Sequence, residues 1–134
     1  MPAPELFRLA TGSQLPDALV ELAATQNWIS AVCSGIGGVS EVKLAYYDLP
    51  TQSYLAFDVD GIVELVSLTG NLTELDGKHF WHLHAVVADR NGRTYGGHLI
   101  SCTVALTVEV AVWPMQKVYT RTLEASTGLR LLNN

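Results

Sequence analysis

Phe80-Trp81-His82-Leu83-His84-Ala85-Val86-Val87-Ala88, then Asp89-Arg90-Asn91-Gly92-Arg93, then Thr94-Tyr95-Gly96-Gly97-His98-Leu99 is the stretch on which the fold turns. The first nine residues read as a strand. Side chains two apart on a strand share a face. Trp81, Leu83, Ala85 and Val87 therefore form one apolar side, and His82 and His84 project together from the other. Asn91-Gly92 is a strong hairpin signal, so the chain should return antiparallel through His98.

Two registers are open. A two-residue turn at Asn91-Gly92 pairs Arg90 with Arg93 and sets His98 opposite Ala85, on the wrong side. A three-residue loop, Arg90-Asn91-Gly92, gives Gly92 the left-handed position of a bulge and pairs Asp89 with Arg93. His98 then lies opposite His84, and all three imidazoles share one face. Opposite charges across a ladder help and like charges hurt, which favours the three-residue loop.

The same pattern extends outward. Strands are expected at Trp28–Cys33, Val42–Tyr47, Tyr54–Phe57, Ile62–Leu68, His98–Trp113 and Val118–Leu123. Turn signals separate them at Leu49-Pro50, Asp60-Gly61, Asp76-Gly77 and Trp113-Pro114. Ser34-Gly35-Ile36-Gly37-Gly38 should interrupt the first of these as a bulge or tight turn. It is no dinucleotide loop, because Ser40 stands where the third glycine belongs and no helix follows. One helix is expected, opening at Pro16 and ending near Asn27, with Leu15, Leu19, Leu22 and Ala23 on one face. Many strands with short links and one N-terminal flanking helix define an α+β fold with a mostly antiparallel sheet.

The chain has 134 residues, which fits a single domain over 1–134. Charged residues are only 16 %, a lean share that points to surface buried against other copies. The net charge is −5, and the eight basic residues are scattered along the sequence, so direct nucleic-acid binding is disfavoured. Cys33 and Cys102 sit in apolar runs and read as buried, reduced thiols. Met1–Ala10 has no secretory pattern and no apolar run spans a bilayer, so a cytoplasmic, membrane-free protein is expected.

Three neutral imidazoles on one face make a site for Zn²⁺ or a similar divalent ion, with a fourth coordination position open. Gly96-Gly97 removes bulk beside His98, so a ligand or another backbone could come close. The alternative is a set of satisfied histidines on a half-exposed sheet. His79 has the opposite parity and is expected at the surface. Glu64 and Glu109 interrupt apolar strands and are candidate catalytic residues, as ligand, supporting group or general base. Glu109 could equally guard a sheet edge.

The ordered set Gly61-Ile62-Val63-Glu64-Leu65-Val66-Ser67-Leu68-Thr69-Gly70-Asn71, Asp76-Gly77, His82-Leu83-His84, Asp89, Gly92, Gly96-Gly97-His98-Leu99 and Thr107-Val108-Glu109-Val110 resembles the PPC domain, conserved in plants and prokaryotes. The likeness runs from about Phe7 to Leu131 and is nearest to the stand-alone prokaryotic form. It implies an antiparallel sheet with a flanking helix, assembly as a homotrimer, and a divalent-metal site at His82, His84 and His98. A small-molecule ligand at that metal is a further expectation. Plant members carry AT-hooks and use the domain for partner contact; no Arg-Gly-Arg-Pro hook is present here. Three functions follow as expectations: a trimeric metal protein, a non-catalytic oligomerisation or interaction module, and, disfavoured by charge, a DNA-associated regulator.

Overall fold

The computed structural model describes residues 3–134. Its elements in order are β1 (Glu5–Leu9), β2 (Gln14–Leu15), α1 (Asp17–Gln26), β3 (Ser30–Asp48), β4 (Ser53–Val59), β5 (Val63–Leu75), β6 (Lys78–Ala88), β7 (Thr94–Met115), β8 (Arg121–Glu124) and β9 (Leu129–Leu132). The α+β, mostly antiparallel expectation holds. No helix among the described residues is long and apolar enough to cross a membrane.

α1 forms where the sequence places it. Pro16 is its N-cap, and the Pro16 carbonyl accepts from the N–H groups of Leu19 and Val20. Asp17 sits in the first turn, where a carboxylate meets the positive end of the helix dipole. Asn27 ends the helix in the left-handed conformation, φ 58°, and Trp28 N–H returns to the Ala23 carbonyl. Leu19 and Ala23 are fully buried, and Trp81 Nε1 donates to the Leu19 carbonyl at 2.9 Å, pinning the helix on β6.

β3 and β7 form one long antiparallel ribbon. β5 flanks β3, β6 flanks β7, and β5 pairs with β6, so these four strands close on themselves. β1 and β2 extend the β7 edge, and β4 extends the β3 edge. The inner face carries the core: Val39, Leu44, Leu68, Leu72, Leu83, Val87, Val104, Val108 and Val110 are essentially inaccessible. Burying side chains of this size contributes about 1.5–3 kcal/mol each before entropy.

Three sequence expectations are corrected. The Gly35–Gly38 run neither ends a strand nor makes a tight turn; of the two expected forms, the bulge is the one that fits. β3 passes straight through it, with register shifts on either side of Gly37. The glycines are there for close approach: a Cβ at Gly37 would lie 2.1 Å from the Thr107 carbonyl oxygen. Nor does Trp113-Pro114 make a turn, because β7 continues to Met115 with Pro114 opposite Ala31. Proline is tolerated there because β1 has already ended, its last pair being Glu5 with Val112. The segment Val118–Thr120 is not strand; pairing begins at Arg121, apart from a single bridge between Thr120 and Glu74.

Candidate metal centre

The β6–β7 hairpin adopts the three-residue loop. Asp89 N–H donates to the Arg93 carbonyl, Gly92 N–H donates to the Asp89 carbonyl, and Gly92 has φ +78°. The Asp89 carboxylate also accepts from the backbone N–H groups of Asn91 and Arg93. This loop fixes His84 opposite His98. On the other flank of β6, His82 pairs with Asn71 and His84 with Thr69.

One donor atom from each of His82, His84 and His98 lies within 4.8 Å of the others. Their ring centroids are 5.1–5.8 Å apart. Burial, then the charges of His84, Arg121 and His98, pushes His82 down to about 4. Burial first, and His84 second, also depresses His98. Both imidazoles are therefore neutral at pH 7, the form that ligates a metal. His98 Nδ1 is buried and has no hydrogen-bond partner. A buried ring nitrogen left without a partner is costly unless something else occupies it, and an ion shared by three imidazoles fits that vacancy in bonding. Tyr54 stacks on the His98 ring at 4.6 Å and fixes its plane.

The cluster opens into a cleft of about 610 Å³. Ala45, Gly97 and the three histidines line it from the main sheet, with Leu75 of β5 and Phe80 of β6; Arg121, Leu129, Arg130 and Leu131 line it from the β8–β9 hairpin. The β8–β9 hairpin is the roof. Gln52 Nε2 donates to the carbonyls of Ala125 and Ser126, and the Tyr47 hydroxyl donates to the Thr127 carbonyl, tying the hairpin to β3 and the β3–β4 turn. Arg121 reaches down from the roof: Nε donates to Thr73 Oγ1 at 2.9 Å and Nη2 to Asn71 Oδ1 at 2.8 Å.

The other candidates lie elsewhere. Glu64 is exposed and pairs with Ala88, four residues along β6 from His84, about 13 Å away at strand rise. Glu109 is exposed opposite Arg8 and Ile36. Neither lines the cleft or joins the histidines. His79, expected at the surface, is half-buried, its Nε2 2.8 Å from the Trp28 carbonyl. Burial pushes the Cys33 thiol up to about 12 and that of Cys102 to about 11, so both are inert apolar groups, free and buried as expected. Sequence reasoning missed Arg121 and Arg130. They look scattered among the basic residues, and only the roof brings them to the cleft.

The profile of the Plants and Prokaryotes Conserved (PCC) domain matches residues 3–116. The bifunctional protein GlmU of Synechococcus sp. (strain JA-3-3Ab) is 35 % identical over 108 residues, 79 % of this chain but 16 % of that protein's length. A metal-containing protein from Archaeoglobus fulgidus superposes with a TM-score of 0.91 at 28 % identity, over 99 % of this chain and 94 % of the other. A Ralstonia eutropha protein, provisionally named as DNA-binding, gives 0.90 at 27 % identity over 96 % and 90 %. With the profile spanning most of the chain and the fold reproduced in such relatives, this chain belongs to the Plants and Prokaryotes Conserved domain family.

Proposed function

We propose that this chain is a metal-binding protein of its family, with His82, His84 and His98 holding one divalent ion, Zn²⁺ foremost. The observation that carries this is the three donor atoms within 4.8 Å, one belonging to a ring whose buried Nδ1 has no other partner. The name of the Archaeoglobus fulgidus relative, metal-containing, supports it. A bound ion would supply Lewis-acid polarisation of a ligand oxygen or activation of a water. The histidines hold and orient; Tyr54 restrains His98; His84, being exposed, leaves one side of the cluster open to water or a ligand. No carboxylate lines the cleft among the described residues, so Glu64 or Glu109 would act there only from a neighbouring copy.

A homotrimer is the assembly that fits best. Val32, Ile36, Val66, Leu106 and Trp113 are exposed on the outer sheet, more apolar surface than a lone small domain usually shows. This surface also favours the second reading, an interaction module working through protein contacts. Direct DNA binding, offered by the Ralstonia eutropha name, meets a net charge of −5. The test is elemental analysis of untagged protein together with native mass. About one zinc or other divalent ion per chain in a three-chain particle is expected. A trimer that takes up no ion when offered one would leave the interaction module as the better account.

A further inference from the structure

We infer that the cleft takes a small organic carboxylate, its anionic end on the Arg121 guanidinium and its other end towards the histidine cluster. The second half of that statement rests on the metal reading; the first half does not. Arg121 is a cation held still without a counter-charge. Its Nε, Nη1 and Nη2 donate to Thr73 Oγ1, the Arg130 carbonyl and Asn71 Oδ1, all neutral acceptors. The guanidinium lies 5.5 Å from the centre of the Phe80 ring. Among the described residues, the ion pairs are Lys43 with Asp58 and Arg130 with Asp76, and neither involves Arg121. Three of its five N–H groups are used, which leaves one on each terminal nitrogen. A forked guanidinium with free N–H groups matches a carboxylate.

Its position relative to the histidines follows from the ladder. Asn71, which holds Nη2, is the cross-strand partner of His82. Paired residues on one face have Cβ atoms about 4.5–5.5 Å apart, so the charge stands beside the cluster. The cleft lining contains no carboxylate among the described residues, in a chain whose net charge is −5. The lining also carries Leu75, Phe80, Leu129 and Leu131, which suit an apolar body. The volume of about 610 Å³ fits a small metabolite. One uncompensated cation matches one negative charge; a polyphosphate would need several.

The experiment is calorimetric titration of the full chain, with and without zinc, using 4-methyl-2-oxopentanoate and its neutral amide as probes. The acid is expected to bind at least about tenfold more tightly than the amide. Arg121→Gln should erase that preference while metal content stays the same, and Arg121→Lys should keep a reduced part of it. Arg90→Gln, which removes a charge in the β6–β7 turn outside the cleft, should leave it intact. Equal affinity for acid and amide, a preference that survives Arg121→Gln, or no binding of either probe at millimolar concentration each overturns the proposal. Should Arg121→Gln loosen the roof, seen as a fall in melting temperature, the Lys variant decides: an undiminished preference there overturns it. An Arg121-dependent preference in a protein that takes up no zinc keeps the anion site and removes the metal reading alone.

Discussion

The two ends of the cleft are built in different ways. At the histidine end, every donor is set by the sheet ladder: Asn71 faces His82, Thr69 faces His84, and His84 faces His98. At the roof end, β8 and β9 share only four residue pairs with each other and one isolated bridge with the main sheet. Side chains of Tyr47, Gln52 and Arg121 fasten it down. The family profile ends at residue 116, before the roof begins. The difference teaches that the placing of the three histidines is a property of the main sheet, whereas the proposed anion contact at Arg121 hangs on a lightly attached hairpin. The two should respond separately to mutation.

The sharpest break is at the histidine end. His98→Ala should weaken zinc binding by more than about 100-fold, beyond the loss typical of a supporting residue. It should leave melting of the metal-free protein little changed, because His98 buries an unpartnered nitrogen there. Competition with a chromogenic chelator measures the first, thermal scanning the second. Unchanged affinity would mean that the other two histidines suffice and that the ladder register is not what makes the site.

A backbone lesion should damage that end together with the fold. A Cβ at Gly70 would lie 1.9 Å from the His82 carbonyl oxygen, so Gly70→Ala must push β5 and β6 apart. A loss of about 2–4 kcal/mol is expected in urea unfolding, with metal uptake falling alongside. Full stability in this variant would show that the β5–β6 ladder has slack, contrary to the contrast drawn above.

Acid tests the same end more gently. His82 is held near 4 by burial, against 6.5 in the unfolded chain. As pH falls, the unfolded form takes up the proton first. Stability of the metal-free protein should therefore decline from about pH 6.5 to about pH 4 and then level off with respect to this group. Urea midpoints across that range measure it. His98, shifted in the same direction, adds to the decline. A flat profile would place His82 in water.

The sequence was legible where chemistry and periodicity agree. The parity of His82 and His84, and the charge pairing of Asp89 with Arg93, were enough to place His98 opposite His84, and the resemblance to the family named the same three residues. Leu19 and Ala23 marked the buried face of the one helix. Legibility was partial at the glycines of β3, which read as a bulge or a tight turn because a missing side chain signals either a turn or a close neighbour. Only the approach of β7 at Thr107 tells which. β1 was missed because it is a short edge strand with Leu6 largely exposed, and β9 because it is four residues long with none of them fully buried. Arg121 was illegible for another reason: its anchors, Asn71 and Thr73, lie some fifty residues upstream, and nothing local distinguishes it from a surface arginine.

The smallest effect probes the roof itself. Gln52 bridges two carbonyls of the β8–β9 turn at 3.1 Å each, both exposed to water. Because water can replace such bonds, Gln52→Ala should cost no more than about 0.5–1.5 kcal/mol, and little of that globally. The loss should be local instead, since a hairpin with so few ladder bonds opens on its own. Hydrogen exchange should quicken at Arg121–Glu124 and Leu129–Leu132 while β5, β6 and β7 keep their protection, and zinc affinity should not move. Faster exchange spreading into β6 would mean that the roof braces the histidine strands, and the two ends of the cleft would then be one cooperative unit.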